Sequence, residues 1–273
     1  MKKFLLLAIL SVFTSNIFAL SGGSSEEPFE VSFPADAVVL GTLATYFTAE
    51  YFISEKYSSA PEWDGKYLNK FDINALDFPL ACAYNKTYDF TSNIFMLADI
   101  ALPGLLVACD IKNAERWKTV CVMYAESFLL NYAIVNTVKH CVKRNRPYMY
   151  FDESELTDDL IENRQTSFPS GHTSAAFCGI SFFATLMLDS GYMEYWDWGF
   201  PVIIAGYVTA SVTAAFRMCS GKHFFTDVLA GAAIGTFSGM IIPILHKRTS
   251  KSKDPVISKL QFNGSGLNVH IPL

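Results

Sequence analysis

Charge is scarce in this chain of 273 residues: Asp, Glu, Lys and Arg make up 17% of it against 51% hydrophobic residues. That balance excludes a disordered tail, a collagen-like repeat and a highly charged nucleic-acid module. Positive charge is in deficit as well. The 21 Lys and Arg face 26 Asp and Glu, a net of −5, so any affinity for phosphate has to come from a local concentration of cations. Cysteine is sparse, with six residues, no Cys-x-x-Cys pair and no metal-ligand spacing. This excludes a disulfide scaffold and gives no indication of zinc. Cys109, Cys121 and Cys178 sit in apolar runs and read as small buried thiols. Long alternation with a period of two is also missing, which leaves a mainly α chain.

What is present begins with a leader. Met1-Lys2-Lys3 is followed by the apolar run Phe4 to Phe13, small residues, a cut expected after Ala19 and the polar stretch Ser21 to Glu27. This is the three-part build of a secretory signal peptide; the alternative with the same composition is an uncleaved anchor. Apolar stretches then predict six helices near Ala37–Ile53, Ser92–Cys109, Trp117–His140, Thr173–Leu188, Trp198–Phe216 and Phe225–Leu245. The last three are charge-free inside and long enough, or nearly so, to cross a bilayer. Asp99 and Glu126 shorten the charge-free runs of the second and third below the ~20 residues of a simple span. Gly231, Gly235 and Gly239 recur every fourth residue, a stripe that lets helices approach closely. Two architectures stay open, a polytopic membrane bundle and an exported globular one, with the balance toward the membrane. Ser54–Phe90 reads as a polar-aromatic connection without chemistry. Lys247–Lys253 reads as a solvated basic tail, and Lys259–Leu273 as either a strand or an extended arm.

Three clusters carry chemistry. The first runs from Lys139 to Arg146-Pro147 at the end of the third helix. Seven positions are close to two helical turns, so both cations face one side if the helix persists. Pro147 helps to end it. The fork of Arg and the point charge of Lys suit a phosphoryl dianion, although basic residues at a helix C-terminus are also ordinary dipole partners. The second is Phe168-Pro-Ser170-Gly171-His172, opening the fourth helix. Ser170 suits the cap, Gly171 lets a ligand approach the backbone, and the helix N-terminus favours an anion beside His172. The third runs from Arg217 through His223 to Asp227. A spacing of four puts His223 and Asp227 on one helix face, where the carboxylate can take the Nδ1 proton and leave Nε2 outward for attack. In isolation this pair is as readily a surface salt bridge. In an up-down bundle, however, all three clusters meet at one end.

This combination resembles the type 2 phosphatidic acid phosphatase and vanadium haloperoxidase superfamily, marked by Lys-x6-Arg-Pro, Pro-Ser-Gly-His and Ser-Arg-x5-His-x3-Asp. The matching region runs from about Ser92 to Leu245. Phe216 departs from the pattern by standing where the family has Ser. The resemblance implies an all-α bundle of about six helices, membrane-embedded, with the active site at one end. It implies His223 as nucleophile forming a phosphohistidine, Asp227 orienting it, and His172 protonating the leaving alcohol and then activating water. Lys139, Arg146, Ser170, Gly171 and Arg217 would hold the phosphoryl oxygens. No metal and no cofactor are expected, and the acidic loop Asp152, Glu153, Glu155, Asp158, Asp159 and Glu162 reads as a solvated lid.

The chain thus divides into a signal peptide (1–20), a helix with a polar-aromatic connection (21–90), the phosphatase bundle (91–246) and a tail (247–273). The expected reaction is hydrolysis of a phosphomonoester or pyrophosphate of a lipid on the extracytoplasmic side of a membrane. The expected partners are that substrate and the bilayer, and no nucleic acid. A soluble exported acid phosphatase is the alternative, and a vanadium haloperoxidase a more distant one. If Ala37–Ile53 does not span, five crossings put the site outside and Lys247–Lys253 inside, as the distribution of Lys and Arg prefers.

Overall fold

The computed structural model describes residues 28–57, 62–109, 114–153, 156–189, 196–247, 260–263 and 266–269. The expected signal peptide lies outside them. Eight helices are described: α1 (Phe33–Tyr57), α2 (Lys86–Ala101), α3 (Pro103–Cys109), α4 (Ala114–Val142), α5 (Asp158–Glu162), α6 (Gly171–Met187), α7 (Trp196–Cys219) and α8 (Phe225–His246). All six expected helices are present, with the second broken into α2 and α3 where Pro103 cannot donate to the turn before it. A hairpin of β1 (Leu260–Asn263) and β2 (Gly266–Val269) pairs Leu260 with Val269, which decides the tail between strand and arm.

α6 is the central helix. From Thr173 to Met187 every residue but Phe177 and Thr185 is buried, and Ile180, Phe182, Phe183, Leu186 and Met187 pack with Leu106, Met123 and Leu130. At 17 residues and enclosed by its neighbours, α6 is a core helix, which revises its expected place among the spans. Three described stretches are long and apolar enough to cross a membrane: Lys86–Ala108, Asp197–Cys219 and Phe225–His246. The first qualifies by length and composition despite Asp99, whose buried carboxylate accepts from Thr209 on α7. These helices carry exposed apolar residues on their outer faces, among them Ile94, Leu97, Ile204, Val208, Phe237 and Ile244.

α6 and α8 lie backbone to backbone and run in the same direction. A Cβ on Gly231 would stand 2.5 Å from the Ser170 carbonyl oxygen, one on Gly235 2.1 Å from that of Ser174, and one on Gly239 2.4 Å from that of Cys178. The positions rise together along both helices, so both N-termini arrive at the same end of the bundle. α4 and α7 point their C-termini there.

Two smaller expectations change. Cys178 is buried, but Cys121 is exposed because its face of α4 looks away from the bundle. Lys247, read as part of a solvated tail, pairs with the buried carboxylate of Asp189 at 2.7 Å.

Candidate active site

α4 brings Lys139 in its last turn and then stops at Val142; Lys143 takes a left-handed φ of 48°. The chain turns into Arg146, buried beside the short turn Pro147–Tyr150. Arg146 Nη2 donates to Thr166 Oγ1 at 2.9 Å, while its Nε has no partner. α7 delivers Arg217, also buried, whose Nη1 donates to Asp89 and, at 3.2 Å, to Ser92 Oγ; its Nε is likewise unpartnered. Buried N–H groups left without acceptors cost about 1–3 kcal/mol each, and an anion held between these two guanidinium groups would relieve that cost.

Ser170 caps α6 as the sequence suggests, its Oγ accepting from Thr173 N at 3.4 Å. Its own N–H donates to the Asp227 carbonyl at 3.0 Å, tying the start of α6 to the start of α8. Lys139 Nζ lies 3.6 Å from where a Cβ of Gly171 would stand, so α4 aims its cation at the open N-terminus of α6. His172, on the first turn, has its Nε2 2.8 Å from Asn93 Oδ1 on α2.

His223 follows Gly221, whose φ of 69° and 2.5 Å approach to the Ala83 carbonyl leave no room for a side chain. The imidazole is buried, and its Nδ1 donates to the Ser167 carbonyl oxygen at 2.6 Å. The expected partner, the Asp227 carboxylate, is 3.8 Å away. It is occupied instead by Ser167 Oγ at 2.5 Å, Phe224 N at 2.8 Å and Arg144 Nη1 at 2.5 Å. The backbone carbonyl is the stronger claimant because it lies in line with Nδ1 at hydrogen-bond distance. The outcome for the ring is the one anticipated, with Nδ1 protonated and the Nε2 lone pair free. Burial, and then the charges of Arg146, Arg217 and Lys139, hold this imidazole well below the usual histidine range, so it is neutral and able to attack.

Every expected site residue is therefore at this end of the bundle. Six more join them. Asp77 is fully buried and accepts from Arg144 Nη2 at 2.6 Å and Thr226 N at 2.8 Å. Burial works against the charge of Asp77, and the bonds from Arg144 and Thr226 more than offset it, holding the carboxyl below its ordinary value. The connection read as lacking chemistry thus clamps the basic segment after α4 to the start of α8. Asp89 gathers Arg217, Lys222 at 3.3 Å and the Tyr84 hydroxyl at 3.0 Å. Asn93, Arg144, Ser167 and Lys222 complete the set. Arg144 and Lys222 lay inside the basic clusters but had no spacing that singled them out. Ser167 stands just before the Phe168–His172 cluster without a spacing that marks it, and Asp77, Asp89 and Asn93 are isolated polar residues far away in the chain. The one group of three His, Cys, Asp or Glu side chains among the described residues that could hold a metal ion lies elsewhere, at Asp36, Glu126 and His246.

An arrangement with a neutral imidazole, a second histidine, three cations and a helix N-terminus suits nucleophilic displacement at a tetrahedral dianion. The sequence also matches known proteins. The family model described as the PAP2 superfamily matches residues 121–251. A PA-phosphatase related-family protein of Dictyostelium discoideum is 25% identical over 177 residues, 62% of this chain and 65% of that protein. Lipid A 1-phosphatase of Porphyromonas gingivalis is 28% identical over 169 residues, 62% of this chain and 33% of that one. Lipid phosphate phosphatase 1 of Arabidopsis thaliana is 30% identical over 127 residues, 40% of this chain and 38% of its own. The chain thus spans less than two thirds of these relatives. Among solved structures, Aquifex aeolicus LpxE aligns with a TM-score of 0.43 and 23% identity, covering 64% of this chain and 98% of that one. A transmembrane PAP2 type phosphatidylglycerolphosphate phosphatase of Bacillus subtilis aligns at 0.49 and 16%, covering 77% and 98%.

Proposed function

We propose that this chain, whose residues 121–251 match the PAP2 superfamily model, is a membrane phosphatase that hydrolyses a phosphate ester of a lipid through a phosphohistidine. The observation that carries the reading is His223. Its Nδ1 is committed to a carbonyl, its ring is neutral, and its free Nε2 belongs to a site ringed by Lys139, Arg146 and Arg217. Nε2 attacks phosphorus as the P–O bond to the alcohol breaks. His172 gives the departing oxygen a proton, then takes one from the water that releases phosphate from His223. Lys139, Arg146, Arg217 and the first N–H groups of α6 hold the phosphoryl oxygens as charge shifts to the leaving group.

A lipid substrate is favoured by the three span-length helices and their exposed apolar faces: the headgroup enters the cationic end while the tails stay in the bilayer. An extracytoplasmic site is part of the proposal and rests on the basic run Lys247–Lys253 that follows α8 at the far end, a run that prefers the cytoplasmic side. The Lys and Arg at the site end, such as Arg144, Arg217 and Lys222, are engaged by carboxylates of the site.

The deciding experiment is phosphate release by purified protein in detergent from a panel of lipid phosphates, lipid pyrophosphates and soluble phosphoesters. Faster release from lipids, lost in His223→Ala, is the expected result. Turnover that survives His223→Ala, or a preference for soluble esters, overturns the reading.

A further inference from the structure

At the end of the bundle opposite His223, three side chains from three helices converge in a fully enclosed position. Asp36 comes from the first turn of α1, Glu126 from the middle of α4 and His246 from the last turn of α8, all buried. His246 Nε2 is 3.1 Å from Asp36 Oδ1 and 3.4 Å from Glu126 Oε2. The distance from the catalytic end is large: 21 positions of helix separate His246 from Phe225, or about 30 Å.

From this geometry we infer that Asp36, Glu126 and His246 form a binding site for a divalent transition-metal ion of the zinc class, a structural site separate from catalysis. His246 Nδ1 is 2.9 Å from the Ile242 carbonyl oxygen, which can only accept, so the hydrogen is on Nδ1. A neutral imidazole then turns a bare Nε2 lone pair toward two carboxylates. A protonated one has a single N–H to give, and could satisfy one oxygen. Asp36 Oδ2 and both oxygens of Glu126 are buried and have no hydrogen-bond partner. Two carboxylates and a neutral imidazole sum to −2, which a dication cancels.

Distances and chemistry agree on the class of ion. Ligands about 2.0–2.1 Å from a tetrahedral zinc are roughly 3.3 Å from one another, close to the two separations seen. The Nδ1–H bond to a carbonyl is the outer partner that fixes a metal-binding histidine tautomer. One imidazole with two carboxylates is a poor match for calcium or magnesium, which prefer six or more oxygens. The ion would lock α1 to the bundle where the chain before it is already pinned: Glu30 N donates to the His246 carbonyl at 2.9 Å, and Phe29 bridges Lys247.

The full chain, purified in detergent without chelators, is tested by elemental analysis and thermal unfolding. About one zinc per chain is expected, falling to roughly a tenth or less in Glu126→Gln and His246→Gln. Stripping the unaltered protein with a chelator should lower its unfolding temperature by several degrees, and added zinc should restore it. Because that arm uses the native sequence, it decides the matter even if a variant misfolds. Native protein that holds no metal after zinc loading and desalting, or unfolds at the same temperature with and without zinc, overturns the assignment and leaves a proton shared among the three groups. Variants that keep full zinc place the ion elsewhere and overturn it equally.

Discussion

His223 is oriented by the backbone carbonyl of Ser167, 2.6 Å from its Nδ1, and the Asp227 carboxylate stands one bond further back, gripping the Ser167 hydroxyl at 2.5 Å. The carboxylate therefore acts through the segment that carries the carbonyl. Asp227→Asn keeps an oxygen for Ser167 or Phe224 and leaves the carbonyl in place. It should reduce kcat by about 10–100-fold, the size usual for loss of an outer partner, with KM little changed. Steady-state kinetics test this. A loss as complete as that of His223→Ala would mean that Asp227 contacts the ring directly during turnover.

The two histidines are assigned different work and can be separated. His223→Ala should abolish turnover for every substrate because no covalent intermediate forms. His172→Ala should suffer most with a poor leaving group and least, in the first step, with an activated aryl phosphate. With such an ester the phosphohistidine should accumulate, since water attack lacks its base. Single-turnover labelling followed by detection of alkali-stable phosphohistidine distinguishes the cases. Label that persists without His223 names the wrong nucleophile.

The seam between α6 and α8 should tolerate no side chain. Gly235→Ala puts a Cβ where the Ser174 carbonyl oxygen is 2.1 Å away, forcing two backbones apart at a cost of about 1–3 kcal/mol. Gly41→Ala, in the body of α1 with nothing within 4 Å, should stabilise by roughly 0.5–1 kcal/mol through helix propensity. Chemical denaturation in detergent compares them. Equal effects would show that the close approach is not what the glycine serves.

Acid should weaken the protein through His223. Burial and the neighbouring Arg146 and Arg217 depress its pKa in the folded state, whereas in the unfolded chain it titrates near 6.5. Above that value the two states bind protons alike at this residue. As pH falls below it the unfolded chain takes up a proton that the folded one refuses, and stability drops by about 1.4 kcal/mol per unit. His172, pushed down to about 3 by burial and the charges of Arg217 and Lys139, contributes to the same limb. His223→Asn should therefore make it shallower, not abolish it, between pH 6.5 and 5 in thermal unfolding. An unchanged slope would assign acid sensitivity to other groups.

Much of this was legible beforehand because helix period and helix ends are local. The six helices follow from apolar stretches, and the Ser170 cap follows from one residue and its neighbours. Lys139, Arg146, Arg217 and His223 could be placed together because an up-down bundle returns helix ends to one place. Asp77 and Asn93 could not, since each earns its position from a partner more than sixty residues away: Arg144 for one, His172 for the other. The span of α2 was misjudged for a related reason. Asp99 counts against a membrane helix in a one-dimensional reading, yet its donor, Thr209, lies on another helix. Likewise α6 looks like a span because it is apolar all round, which describes a helix enclosed by protein just as well.

Helices α6 and α8 run side by side with both N-termini at the reaction centre. In the proposed reaction the donors gathered there recognise a phosphoryl group, and they hold it as firmly after the alcohol has gone as before. The tail-bearing product diffuses into the bilayer, while the small anion leaves a pocket built to retain it. Free phosphate from outside competes for the same place. An enzyme with this architecture would slow as free phosphate accumulates, because product and substrate compete for the same N–H groups at the start of α6.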